Sequence, residues 1–568
     1  MAKWYETCPE RLDAELRALA EAGFRATIDG QARAAGHLLL HVAVSVDGEE
    51  HDFQVEFPDD YPYFPFLVFA PSLSLPRHQD PYSKQLCFVR HIETEWSTGD
   101  SVAEYLQNRL PNILASARAD GPTDIEAHEG APVTGYLPFA PGSVVLIGDW
   151  TLSPTIQSGT LLMGIEQGSD PQIVLRAAIH AVKSGNGEVL AALDSPVASI
   201  YPSTFAARWV RLPARPRAGD FGSIMAEAIS IWPALQRCQF NNGAPDVVGI
   251  VFPDEARYRE NHDIWVFLVR RKERFVRTSK RRRLPSGDKV IQYLARADRA
   301  GRSDLQARVP RLAPLTAKRV AIFGLGALGS AVPCQLAKSG VGHLVFVDPD
   351  VVTAGTAARW ALGLRAAGHF KSHVLAAHIR ANYPYVDPTP IALRLGHTRN
   401  GDMNQVLADA LTNVEVIIDC TVEKTVHHYL SHVAQEKALP FIWASATPGA
   451  WGGIVGRALP DKDRGCWECF CHHQMDETIP APAQEEGPDI QPIGCFSPTF
   501  QGTGFDLDHV ALMCARLAVA TLCRGTQEGY GDFTWDIAVL DLWKDGQPIA
   551  PLWRTLPLTR HEACGRHR

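Results

Sequence analysis

The chain lacks any run of eighteen uninterrupted apolar residues, which leaves no segment that reads as a membrane-crossing helix. Its opening, MAKWYETCPERLDAELRALAEAG, carries acidic residues and no apolar core before a cleavage site, so it does not read as a signal peptide. A cytoplasmic protein with no membrane partner is the expectation. Cysteine is sparse, twelve in 568 residues. Without secretory features these thiols argue for metal binding, thiol chemistry and burial rather than a disulfide framework. Positive charge is also short: 55 Lys and Arg stand against 63 Asp and Glu, a formal net charge of -8, which gives no general nucleic-acid footprint. Internal repeats are missing too. Hydrophobic residues at 46% and charged residues at 21% exclude wholesale disorder and fibrous architecture.

What is present is a multidomain text, too long for one hydrophobic core. Residues 1–120 begin with an amphipathic helix (Leu12, Leu16, Leu19 and Ala20 on one face) and pass into alternating strand runs, GHLLLHVAVSV and HDFQVEFPDDYPYFPFLVFA. A loop containing Cys87 and a second helix, SVAEYLQNRLPNILASA, complete an α+β domain. Residues 121–141, polar and rich in Gly and Pro, read as a linker. Residues 142–304 mix strand-like runs (SVVLIGDW, DVVGIVF, IWVFLVRR) with helical ones (PQIVLRAAIHAVKSG, GSIMAEAISIWPALQ), predicting a mixed α/β middle domain of unknown role. The basic stretch from Arg270 through Arg283 reads as a solvated face.

From residue 305 to 568 the pattern becomes α/β. KRVAIFGLGALGSAVPCQLAKSGVGHLVFVDPD is an apolar strand, a glycine turn, a helix and a second strand ending in acid. Gly324, Gly326 and Gly329 allow a tight turn and close backbone approach, so that amides at a helix start can face a phosphate. Asp348, at the end of the next strand, is placed for ribose hydroxyls.

The following text, VFVDPDVVTAGTAARWALGLRAAGHFKSHVLAAHIRANYP, resembles the ubiquitin-activating, ThiF and MoeB family. That resemblance implies a Rossmann-like adenylating domain that uses ATP and Mg2+, with Arg359 and Lys371 neutralising phosphates and Asp350 as a second acid. Thr356 stands where the family has asparagine, and Val422 stands where it has a second aspartate after Asp419. Asp419 or Glu423 is then the carboxylate for magnesium, although Asp419 reads equally well as a helix cap. The resemblance also implies a homodimer. A sulfur-carrier adenylyltransferase and an NAD-dependent oxidoreductase are the alternatives for the same glycine loop.

Cys466 and Cys469 form a CxxC, and the chain ends with His561, Cys564 and His567. Members of the same group pair two such halves around structural zinc; here either histidine could complete a Cys3His site. Cys495, in a Gly- and Pro-rich segment before an apolar helix, resembles the catalytic cysteine of the crossover loop.

In the first domain, the Tyr61-Pro62 turn, His78, Leu86-Cys87, Trp96 and the helix after it resemble the ubiquitin-conjugating fold. Cys87 falls at its thiol position and His78 near its His-Pro-Asn motif, with Gln79 and Asp80 replacing proline and asparagine. Together the two ends resemble bacterial fusions of antiphage operons of the CBASS type. This implies a relay: adenylation of a protein C-terminus, thioester transfer to Cys495 and then Cys87, and conjugation to a lysine. The cargo would be a cGAS-like nucleotidyltransferase or a ubiquitin-like protein.

Overall fold

Alternation in the first hundred residues builds an antiparallel meander: β1 (Arg25–Ile28), β2 (Leu38–Val46), β3 (Glu49–Phe57), β4 (Leu67–Phe69) and β5 (Gln85–Leu86), paired in that order. Leu38, Leu40, Val42, Val44 and Val46, every second residue of β2, enter one core with Leu12 and Leu19 of the helix Pro9–Glu21. Glu15 of that helix is buried, and it accepts hydrogen bonds from Tyr61 Oη at 2.5 Å and Val102 N at 3.0 Å. One carboxylate thereby joins the N-terminal helix, the turn after β3 and the start of the helix at Val102, and its burial is compensated by these bonds. This is a computed structural model describing residues 3–89, 92–118, 132–165, 174–240, 244–257, 260–272, 289–396, 401–487 and 501–567. The chain divides into two units, Met1–Ala300 and Gly301–Arg568.

The rest of the first unit is a mixed sheet of β6 (Phe139–Ile147), β7 (Ser158–Ile165), β8 (Arg176–Ser184), β9 (Val189–Ala192), β10 (Ser203–Arg211), β11 (Asp246–Arg257), β12 (Glu260–Lys272) and β13 (Val290–Arg299). Its order is β6-β13-β12-β11-β10-β7-β8-β9, and β6 also pairs with β8, so seven strands close on themselves and β9 hangs outside. Closure leaves few open edges. The inner face is filled by Leu161, Met163, Ile179, Trp209, Trp265 and Phe267. Outside, the helix Phe221–Ile231 lays Ile224, Met225 and Ala228 on Val248, Ile250 and Leu268. Asp220 caps that helix by accepting Ser223 N at 2.9 Å.

The middle region is therefore more β than its text predicts. PQIVLRAAIHAVKSG, expected as a helix, contains β8. Ala177, Ala178 and Ile179 are all fully buried, because this strand is covered on both faces. A short apolar run of that kind carries no periodicity that separates strand from helix. Arg270, expected on a solvated face, is also buried: it pairs with Asp246, which Arg208 shares at 2.7 Å. Lys280 to Arg283 lie outside the described residues. The described residues of the stretch expected as linker carry a short 3-10 turn at Val133–Tyr136 and then the start of β6.

The second unit is an eight-stranded sheet, β14 (Arg319–Phe323), β15 (His343–Val347), β16 (Asp387–Ile391), β17 (Val416–Asp419), β18 (Phe441–Ala446), β19 (Gly452–Ala458), β20 (Ile537–Lys544) and β21 (Gln547–Leu556), in the order β16-β15-β14-β17-β18-β19-β20-β21. The first five are parallel and the last three antiparallel. The chain leaves β14 toward β15 on one side and returns to β17 on the other. The crevice where such a sheet binds ligands therefore opens beyond the carboxyl end of β14. Among the described residues no helix is long and apolar enough to cross a membrane.

Candidate active site

The glycine loop occupies that crevice. Gly324 has φ +80°, and a Cβ there would lie 2.6 Å from Thr421 N, so neither conformation nor space admits a side chain. A Cβ on Gly329 would lie 2.1 Å from Gly324 O. Gly326 differs: nothing stands within 4 Å of its would-be Cβ. Two glycines close the turn, and the third keeps its outer surface bare, where a phosphate can approach backbone amides.

Asp348 holds this loop from beneath. Its carboxylate accepts Leu325 N at 2.6 Å and Asp350 N at 2.8 Å, and Trp360 Nε1 donates to Leu325 O at 2.8 Å. Burial pushes its pKa up, opposed by the Lys371 ammonium. Lys371 Nζ stands 3.9 Å from Asp348 and 3.0 Å from the exposed Asp350. Asp350 is thus the acid turned outward, while Asp348 serves the loop backbone. Arg359 is half-buried, and desolvation lowers its pKa. Its Cα would lie 3.4 Å from a Cβ on Gly504, so the start of the helix Gly504–Leu522 abuts it. Cys495 lies outside the described residues, in the segment 488–500 that precedes this helix. Cys514 and Cys523 are buried in the core.

Asp419, weighed as a magnesium ligand, is fully buried at the end of β17. Its oxygens accept Thr421 N at 2.9 Å and Thr421 Oγ1 at 2.8 Å and pair with His427 Nδ1 at 2.9 Å. A hard cation needs oxygens it can reach. As placed, Asp419 does not fit that role, and Glu423, exposed four residues on, is the carboxylate accessible there. His427 was not anticipated, since an isolated helix histidine carries no local signal. Val422, between them, has φ +63° and is half exposed. That conformation is strained for a β-branched residue.

The cysteine halves meet. Cys466 Sγ lies 3.8 Å from Cys469 Sγ and 3.7 Å from Cys564 Sγ, and the ligand atoms of these three and His567 all fall within 4.8 Å of one another. Thiolates about 2.3 Å from a tetrahedral zinc stand about 3.8 Å apart, so the donor set fits. His567 Nε2 is buried without a hydrogen-bond partner, which fits a ligand nitrogen. Burial raises the Cys466 and Cys564 thiols, Cys564 to about 12, a cost that a bound cation would reverse. His561 is directed elsewhere, to Asp476 at 2.8 Å.

In the first unit Cys87 follows β5 and is partly exposed; its N–H donates to His78 O at 2.9 Å. His78 has φ +60°, and its Nε2 meets Ser116 Oγ at 3.2 Å. Gln79 is buried and bonds to the loop's own backbone. Tyr136 Oη lies 3.9 Å from Cys87 Sγ. No sequence signal pointed to Tyr136, which sits 49 residues away from the thiol in the stretch expected as linker.

A parallel sheet reversing at β14, a glycine turn on its carboxyl end and a lysine set among acids make a crevice of the nucleotide-binding type. Residues 304–542 match the ThiF family, and the C-terminal unit carries a ThiF-family adenylation domain. Over nearly the whole chain, the protein is similar to two uncharacterised proteins of Sinorhizobium fredii. With y4oA it shares 27% identity over 93% of this chain and 92% of the relative. With y4qC it shares 28% over 97% and 96%. The ATP-dependent ubiquitin transferase-like protein Cap2 of Enterobacter hormaechei is 24% identical over 37% of this chain and 33% of its own length.

Proposed function

We propose that the chain activates the C-terminus of a protein with ATP, carries it as a thioester on Cys495 and then Cys87, and delivers it to a lysine amine. The observation that carries this reading is the pairing, in one chain, of a ThiF-family domain with a second domain that presents a partly exposed thiol, Cys87, at a strand end. An adenylate alone would need no such thiol, whereas a thioester relay divides one difficult acyl transfer into easier steps. The likeness to Cap2, an ATP-dependent ubiquitin transferase-like protein, supports transfer of a ubiquitin-like protein; a cGAS-like nucleotidyltransferase in antiphage defence is the other cargo, on the family resemblance alone.

In this reading the amides around Gly326 face the phosphates, and Lys371 with Arg359 offsets their charge. Asp350 is the acid open to the ribose side. Zinc, held by Cys466, Cys469, Cys564 and His567, would be structural, fixing the chain's end against the helix Trp467–Met475. Homodimerisation follows only from the family resemblance. The test uses pyrophosphate exchange with a candidate cargo. Lys371→Ala should lower exchange about a hundredfold by removing charge stabilisation of the transferred group. Cys87→Ala should leave exchange intact and abolish conjugation. Full conjugation by Cys87→Ala would overturn the relay; exchange with no lysine conjugate in the wild type, and a downstream product unaffected by Cys87→Ala, would favour a sulfur-carrier adenylyltransferase.

A further inference from the structure

Amine attack on a thioester puts negative charge on the carbonyl oxygen, and a donor must meet it there. Among the described residues, the three that precede the thiol at the motif position, His78, Gln79 and Asp80, are engaged elsewhere. Gln79 is 4% exposed, accepts Leu75 N at 2.8 Å, and donates toward Ala70 O at 3.1 Å and Lys84 O at 3.3 Å. Its amide is spent on holding the loop. Asp80 accepts Tyr82 N at 2.8 Å and the Ser83 hydroxyl; an ionised carboxylate only accepts, so it cannot bind an oxyanion. His78 directs Nε2 to Ser116.

A hydroxyl reaches the thiol from a different part of the fold. Tyr136, on the 3-10 turn Val133–Tyr136, brings its phenol 3.9 Å from Cys87 Sγ. The turn is fixed rather than draped: Val133 N donates to Asp254 Oδ2 at 2.7 Å, and Val133 is buried beneath the helix-covered face of the closed sheet. The thiol loop is fastened to the same sheet by the Arg77–Glu255 ion pair, and Tyr82 Oη donates to Pro216 O at 3.1 Å. The middle sheet therefore sets a hydroxyl against the thiol.

We propose that Tyr136 is a catalytic residue of acyl transfer at Cys87, its phenol donating a hydrogen bond to the oxyanion. This rests on the reading that Cys87 carries an acyl thioester. The carbonyl oxygen of that thioester lies one C–S and one C–O bond from Sγ, within reach of a hydroxyl at this distance. The neutral amine nitrogen bonds to the carbonyl carbon and the C=O electron pair moves to oxygen, where Tyr136 meets it. The pair then returns, the C–S bond breaks, and the sulfur leaves as thiolate. The proton shed by nitrogen passes to that thiolate, directly or through solvent, leaving an amide and a thiol. Burial, reinforced by the neighbouring Cys87, raises the Tyr136 pKa, which keeps the phenol protonated as a donor.

The test bypasses ATP. The full chain is acylated with the benzyl thioester of acetyl-glycyl-glycine, and the acyl group on the Cys87 peptide is followed by mass spectrometry during aminolysis by free lysine. Tyr136→Phe should reach the same final acyl occupancy at Cys87, more slowly because loading passes through the same oxyanion, and once loaded should discharge about a hundredfold more slowly, the effect of removing one oxyanion donor. The pH profile of Cys87 alkylation by iodoacetamide should be unchanged. Equal discharge by Tyr136→Phe overturns the proposal. A shifted alkylation profile also overturns it, because Tyr136 would then tune the thiol and not the oxyanion. Failure of wild-type Cys87 to acylate above a Cys87→Ala control would instead contradict the thioester reading itself. Tyr136→Leu, without ring or hydroxyl, should discharge no faster than Tyr136→Phe; faster discharge would show the ring merely obstructing the thiol.

Discussion

The nucleotide loop and the thiol loop both cap a strand end, yet they are built in different ways. Gly324, Gly326, Gly329, Asp348 and Lys371 are supplied by one continuous stretch, β14 to the helix Lys371–Asn382, folded so that its own backbone makes the site. The surroundings of Cys87 come from three stretches: its own loop, Ser116 on the helix Leu110–Arg118, and Tyr136 on the turn that leads into the closed sheet. A contiguous site leaves a spacing in the sequence. An assembled one leaves only its central residue visible.

Three perturbations sharpen this contrast between units. The largest effect should come from zinc. A bound structural zinc contributes on the order of several kcal/mol or more to folding, so chelation or Cys564→Ser should lower the unfolding transition of the C-terminal unit sharply and leave that of the N-terminal unit in place. Scanning calorimetry with metal analysis reads both; one zinc per chain in the wild type and none in the variant is the expected stoichiometry.

A smaller effect separates two glycines three residues apart. Gly329→Ala forces a Cβ against Gly324 O and should destabilise the C-terminal unit by about 1–3 kcal/mol, the usual range for overpacking. Gly326→Ala meets open space; its Tm should hold while pyrophosphate exchange falls, because the added methyl occupies the surface a phosphate needs. Equal Tm losses in both would break the distinction between closing glycines and the bare one.

The smallest is Val422→Asn. Asparagine tolerates the left-handed conformation that Val422 holds at φ +63°, and relief of that strain should raise stability by about 1 kcal/mol. A simultaneous loss of exchange, read in the same preparation, would mark the strain as functional.

Local chemistry made the C-terminal unit legible. The order strand, glycine turn, helix, strand and acid is one βαβ unit, and CxxC spacing announced half of the Cys/His cluster. Arbitration between His561 and His567 needed the fold, since both stand three residues from Cys564 and only the path of the chain turns one toward the thiols. Asp419 was ambiguous for a related reason: a strand-end aspartate caps or binds according to what packs over it, and here His427, eight residues on, takes its second oxygen. β8 was misread because burial on both faces erases the alternation that marks a strand. Tyr136 was invisible because its partner is 49 residues away and its own neighbours are Gly- and Pro-rich.

The most direct test of the relay is to incubate the full chain with ATP and a candidate cargo, quench without reductant, and map thiol-sensitive adducts by peptide mass spectrometry. The account predicts an ATP-dependent acyl thioester on Cys87 in the wild type, its loss in Cys495→Ala, and a thioester retained on Cys495 in Cys87→Ala. An adduct on Cys87 that forms equally well in Cys495→Ala, or ATP-dependent conjugation with no thioester on either cysteine, would contradict it.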